Sequence, residues 1–173
     1  MLIWESTSVD LAEIEALAAH SRGATECLLR DDGKGSLILC ERGEAPKEVV
    51  EKRLEPVFAR GCNGPEAGPW IFCVGIRVPA DFRAELCAWY LYEHGPILLE
   101  CPEWRGFQCL EASDARGNQL YVLHRLAARS ALGSEQRKRS RSTAWFHRLA
   151  RHEWFDGAFE RALFHRVSVR GEP

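Results

Sequence analysis

No stretch of this chain approaches the eighteen or so consecutive apolar residues that a membrane-crossing helix needs, so no membrane partner is expected. The opening Met1-Leu2-Ile3-Trp4-Glu5 lacks a basic segment followed by an apolar one, so an export signal is not expected and the cytoplasm is the expected compartment. There is no Cys-x-x-Cys pair. The seven cysteines stand singly at 27, 40, 62, 73, 87, 101 and 109, several inside apolar runs such as Leu37-Ile38-Leu39-Cys40. Their odd number argues against a disulfide framework and for reduced thiols that behave as small core hydrophobes. Gly-x-Ser-x-Gly is absent too, and Asp32-Gly33-Lys34-Gly35 is too short for a phosphate loop. His147 and His152 are five apart, not the four of a helical metal pair, so no metal is expected. No cofactor is expected either.

What is present describes a globular chain: 46% hydrophobic, 28% charged, 173 residues, enough for one generous domain or two small ones. The formal net charge of −2 is uneven, because residues 116–170 carry twelve Arg or Lys against four acidic residues. Arg137-Lys138-Arg139-Ser140-Arg141 is the densest basic run. Without interleaved aromatics or a recognition motif it reads as a solvated helix start or loop, and a nucleic-acid contact through 137–141 is the weaker alternative.

Hydrophobic periodicity runs through one pattern twice. Residues 1–7 read as a strand. Ser8 or Asp10 can cap a helix with Leu11, Ile14, Leu17 and Ala18 at helical spacing, ended by Gly23. Glu26–Arg30 and Ser36–Glu41 form a hairpin across Asp31-Asp32-Gly33-Lys34-Gly35. A second helix is expected from Pro46, with Val49, Val50, Leu54, Val57 and Phe58 on its apolar face, kinked or shortened by Pro56. This leaves the first unit without a clear fourth strand. The Gly- and Pro-rich 61–69 is the expected linker between units 1–60 and 70–170. Then come a strand Trp70–Val78, a helix Asp81–Glu93 stopped by Gly95-Pro96, and a strand pair Trp104–Ala112 and Gln119–Leu126 across 114–118. A helical region over 135–151 and a closing strand Phe159–Val169 complete the second unit. Strand–helix–strand–strand–helix–strand is the ferredoxin-like unit. The expected fold is therefore α+β, with tandem ferredoxin-like units whose antiparallel sheets pack as a dimeric-type α/β barrel. The barrel can close within one chain as a pseudo-dimer or between two copies as a homodimer.

The chemistry concentrates in Trp89-Tyr90-Leu91-Tyr92-Glu93-His94. Tyr90 and His94, four apart, share a helix face, with Trp89 beside them. His94 can act as general base or acid in a half-buried cleft, or it can cap the helix end through its carbonyls. Trp89 and Tyr90 can line a flat pocket or pack between helix and sheet. Glu93 points about 100° away from His94. In the strand 120–125, alternation sets Leu120, Val122 and His124 on one face and Tyr121, Leu123 and Arg125 on the other. Either His124 or Tyr121 can supply a second polar group.

Trp89-Tyr90-x-x-Glu93-His94-x-Pro96, the turn Cys101-Pro102-Glu103-Trp104-Arg105-Gly106, the later Ala144-Trp145-Phe146-His147-Arg148 and Phe164-His165-Arg166 together resemble the EthD-like branch of the dimeric α/β-barrel superfamily. The resemblance spans about residues 70–168, with 1–60 as a diverged partner unit. It departs at Gly95, where larger residues are common, and at Glu103, where Gly is usual. It implies a cleft between sheet and helices that holds a small aromatic or polyketide-like molecule. His94 would face that cleft as the candidate catalytic residue, and Trp89, Tyr90, His124 and Tyr121 are candidate substrate contacts. The activities the wider superfamily implies are cyclase, dehydratase, lyase-like or monooxygenase-like, without a cofactor in the reading taken here; a binding or structural barrel without chemistry is the alternative.

Overall fold

The computed structural model describes residues 1–22, 26–47, 49–114 and 117–167. It is an α+β structure in two compact units, one of Met1–Glu55 with the chain from Ala162 onward, the other Pro56–Arg161. Among the described residues no helix is long and apolar enough to cross a membrane. The 61–69 segment lies inside the second unit, and Pro65 starts a single 3-10 turn there, Pro65–Ala67.

In the first unit β1 (Leu2–Ser6) leads to α1 (Leu11–Ala18). Asp10 caps that helix, its carboxylate accepting from the Ala12 and Glu13 amides at 2.8 and 3.2 Å, and Ile14 is driven into the core. Gly23 lies outside the described residues. After the two-residue β2 (Ser21–Arg22) come β3 (Glu26–Arg30) and β4 (Ser36–Cys40), which pair antiparallel across the expected turn. Gly33 takes φ 68° there, a left-handed conformation that glycine reaches at little cost. β5 (Arg42–Gly43) pairs with β2.

The expected helix from Pro46 is not formed. Val50–Arg53 is instead β6, antiparallel to β1 in the register Leu2↔Arg53 to Glu5↔Val50. The reason is local and tertiary at once. Pro56 would deprive a helix of its bond to the Lys52 carbonyl, and Val49-Val50 favours extended backbone. Meanwhile β1 offers an open edge, which β6 covers and fastens through Trp4 Nε1–Glu51 (3.1 Å) and Lys52 Nζ–Glu5 (2.7 Å). The strand order is thus β6-β1-β4-β3, followed by the closing segment, which pairs Phe164–Val167 with Cys27–Arg30. Trp4, Ile14, Cys27 and Ile38 form this unit's core.

The second unit opens with β7 (Glu55–Gly61), where the helix had been expected to continue. β8 (Trp70–Arg77) runs into α2 (Ala80–Trp89), a π-helical turn (Tyr90–His94) and α3 (Gly95–Leu99). The helix therefore does not stop at Gly95-Pro96, as expected, but widens. The Gly95 amide donates to the Tyr90 carbonyl five residues back, which makes room for the Pro96 ring where a normal turn would drive it into the Tyr92 carbonyl. Gly95 is required at this place, since a Cβ there would lie 2.1 Å from the Phe107 ring and 2.6 Å from the Tyr90 carbonyl oxygen. The long strands β9 (Trp104–Asp114) and β10 (Gly117–Leu126) follow, the middle of their expected turn lying outside the described residues. β10 pairs antiparallel with both β9 and β8. The expected helical region 135–151 is broken into α4 (Glu135–Ser140) and α5 (Ala144–Leu149), with α6 (Glu153–Gly157) added. Ser134 and Thr143 cap the first two through their side chains. β11 (Phe159–Val167) completes the order β11-β8-β10-β9-β7; residues 168 and 169 of the expected strand lie outside the described residues. The core of this unit is fully buried at Ile76, Leu86, Phe107 and Leu149, each side chain contributing about 1.5–3 kcal/mol on removal from water.

Candidate functional site

One face of β8 and β10, the π-turn and the short helices α4–α6 enclose a half-open cavity of about 340 Å³ within the second unit. Phe72, Val74, Leu98, Phe146, Phe155 and Phe159 give it an apolar, largely aromatic wall. Trp89, Tyr90, His94 and His124, all expected as site residues, meet in that wall. The π-turn decides how. With the turn widened to five residues, Trp89 and His94 stack, ring centres 4.2 Å apart, and Tyr90 meets His94 edge-on at 4.9 Å. Tyr121 is not brought to the cavity. Strand alternation sends it to the other face of β10, where its hydroxyl donates to Gln119 Oε1 at 2.8 Å. Glu93 turns away from His94, as its position on the helix requires, and accepts from Thr143 Oγ1 at 2.6 Å. Tyr92 is exposed.

The two imidazoles carry opposite hydrogen-bonding assignments. His94, only 7% exposed, points Nδ1 at the Ser140 carbonyl 3.4 Å away. A carbonyl can only accept, so Nδ1 bears the proton and Nε2 is left as the lone-pair nitrogen. It does not cap its own helix. Burial is the main force on its pKa, lowering it to about 3, with Arg141 and Arg137 pushing the same way against the Ser140 carbonyl. His124, 1% exposed, accepts at Nδ1 from the Trp104 indole at 3.1 Å, so its proton sits on Nε2. Burial, then His94 and Arg137, hold it well below the usual histidine range. At neutral pH the cavity therefore offers one imidazole acceptor and one imidazole donor, both uncharged. Burial also pushes the Tyr90 phenol up, keeping it protonated. The Trp89 indole N–H, buried in the same wall, finds no acceptor among the described residues, an omission that costs about 1–3 kcal/mol.

Sequence reasoning missed Trp104 as the residue that holds His124, having assigned it to the strand entry. It also missed three arginines. Arg137, Arg141 and Arg161 all line the cavity. The basic run is thus not a solvated loop throughout: Lys138 and Arg139 pair with Glu135 and Glu100, while the half-buried Arg137 and the exposed Arg141 line the cavity. The spacing of four between those two was the available clue. No group of three or more metal-ligating side chains occurs among the described residues. The two histidines are the cavity's only nitrogen ligands of that kind among its lining residues.

No protein-family model matches the sequence, and no curated protein matches it. Solved structures do. The heme-degrading enzyme of Listeria monocytogenes superposes with a TM-score of 0.62 at 10% identity, covering 96% of this chain and 100% of the other. A ferredoxin-fold protein of the same organism, described as related to antibiotic biosynthesis monooxygenases, gives 0.63 at 12%, with 96% and 94% covered. An anthrone oxidase-like protein gives 0.65 at 13%, with 99% and 92% covered. At such identities the likeness is one of fold. The chain has the ferredoxin-like α/β fold of these proteins.

Proposed function

We propose that this chain is an EthD-like α/β protein that binds a small aromatic or polyketide-like molecule in the second unit's cavity, with His94 accepting a proton from it. The reading that the chain holds two diverged copies of one unit is part of the proposal. It is supported by the strand orders β6-β1-β4-β3 and β11-β8-β10-β9, each with the fourth strand beside the first. The observation that carries the functional reading is the pairing of an aromatic-walled cavity with two neutral imidazoles of opposite polarity. A phenol or enol in the cavity would pass its O–H proton toward His94 Nε2 in part and transiently, since burial disfavours the imidazolium. His124 Nε2–H is the donor to the oxygen as its charge grows, and the apolar wall excludes water that would compete for both bonds. The neighbours named as monooxygenases, heme-degrading or anthrone oxidase-like fit a small-molecule role.

A binding role without chemistry is favoured by one observation: among the described residues neither imidazole is hydrogen-bonded to a carboxylate that would stabilise its protonated form. Titrating 2-naphthol into wild type and His94→Gln separates the readings. The proton-transfer reading expects wild type to shift bound naphthol toward naphtholate emission at a pH below the free dye's transition, with the shift lost in the variant. Binding without that shift supports the non-catalytic reading. Absence of binding to wild type sinks both.

A further inference from the structure

We infer that the cavity's ligand carries an anionic group, a carboxylate on a planar aromatic skeleton, received at the cavity mouth by Arg137, Arg141 and Arg161. This rests on the aromatic-pocket reading above and names the class of molecule it takes. Three guanidiniums converge on one cavity. The guanidinium of the half-buried Arg137 makes a single hydrogen bond, from Nη1 to the Leu132 carbonyl at 2.7 Å, and lies over the Phe72 ring. Arg141 and Arg161 are exposed, poised over Phe146 and Phe159 with their charged carbons 5.9 and 4.8 Å from the ring centres. Among the described residues none of the three has a carboxylate within ion-pair distance. The neighbouring Lys138, Arg139 and Arg148 each have one. The contrast is chemical. The three neighbours are neutralised by carboxylates of the protein, and the three that line the cavity are left unpaired.

Like charges held together repel, and burial adds to the cost for Arg137, whose pKa is pushed down first by burial and then by Arg141 and Arg161. An anion in their midst relieves both effects. Asp156, the one acidic residue among the lining, is exposed and bonded to none of them. Guanidinium forks grip planar carboxylates in bidentate fashion, and the rings under each fork fix its plane. The aromatic wall beneath then holds the flat skeleton. Such a ligand sits with its charge at the mouth and its ring between Trp89, Phe146 and Phe155, which brings the ring's substituents to the two imidazoles.

The test compares 2-naphthoate with 2-naphthamide by calorimetry, on wild type and on the double variant Arg141→Gln/Arg161→Gln. Both substitutions are at exposed positions, so the fold is preserved; Arg137→Gln, which also loses the Leu132 contact, is a secondary variant. Wild type is expected to bind the acid at least tenfold tighter than the amide at low salt. The preference should shrink as sodium chloride is raised to 0.5 M. The double variant should lose most of that preference, the acid's affinity falling several times more than the amide's, with Arg137 holding what remains. Equal binding of acid and amide by wild type, or a preference undiminished by the double substitution, overturns the anion inference and leaves the aromatic pocket standing. Binding of neither compound overturns both.

Discussion

His94 carries a strongly perturbed proton equilibrium, and the sign of its effect on stability follows from burial. An exposed imidazole in the unfolded chain titrates near 6.5, whereas the folded one stays neutral until about pH 3. Between those values the unfolded state binds more protons, so folding stability is full above pH 6.5 and falls as the solution is acidified toward pH 3. Between pH 7 and 5 this one residue costs on the order of 2 kcal/mol. His94→Gln is expected to flatten that limb of the pH–stability curve in urea unfolding experiments. An unchanged slope would mean that the ring is protonated in place. Tyr121 illustrates a different lesson of this scale. Its pairing with its own strand neighbour Gln119 shows how a residue an odd number of steps along a strand from a site residue is lost to the site entirely.

At the scale of the element, the π-turn is the device that builds the site. It converts the Trp89–His94 pair, five apart, into a stack, and it does so because Pro96 cannot continue an ordinary helix. Its tolerance rests on Gly95, against which the Phe107 ring and the Tyr90 carbonyl both press. Gly95→Ala should therefore cost about 1–3 kcal/mol, the range for forcing extra atoms into a filled core, and should weaken ligand binding by displacing His94. Gly157→Ala, where an added Cβ meets nothing within 4 Å, serves as the control and should leave the melting temperature nearly unchanged. Equal effects of the two substitutions would show that the turn adapts. The β6 edge makes the complementary point. A segment with helical spacing of apolar residues became a strand because a neighbour's edge, Pro56 and the Val49-Val50 pair outweighed periodicity.

Across the whole molecule, the seven thiols report on how the two cores are sealed. Cys27, Cys40, Cys73, Cys101 and Cys109 are buried and Cys87 is half-buried, whereas Cys62 is exposed. Cys62 donates to Glu66 Oε1 at 3.0 Å, and that bond is the first cause of its raised pKa. An aromatic disulfide reagent added to the native protein is expected to titrate Cys62 quickly and the half-buried Cys87 more slowly, the remaining five reacting only with unfolding. Cys62→Ser should abolish the fast phase and Glu66→Gln should hasten it, since the thiolate is then easier to form. Several fast thiols in the native protein would instead reveal ready opening of a core.

Much of this was open to reading in one dimension. Capping by Asp10, the 31–35 turn, strand alternation at His124 and the shared face of Tyr90 and His94 are consequences of local geometry, and a residue's own neighbours suffice to settle them. The rest depends on partners far along the chain. Trp104 reaches His124 because β9 and β10 lie side by side, and Arg137 and Arg141 face inward because α4 sits over Phe72 and the cavity mouth. Charge patterning alone cannot distinguish an arginine turned to water from one turned to a pocket, since both stand on polar-looking segments. Only the packing of one element on another decides which guanidiniums find a carboxylate and which line a cavity without one.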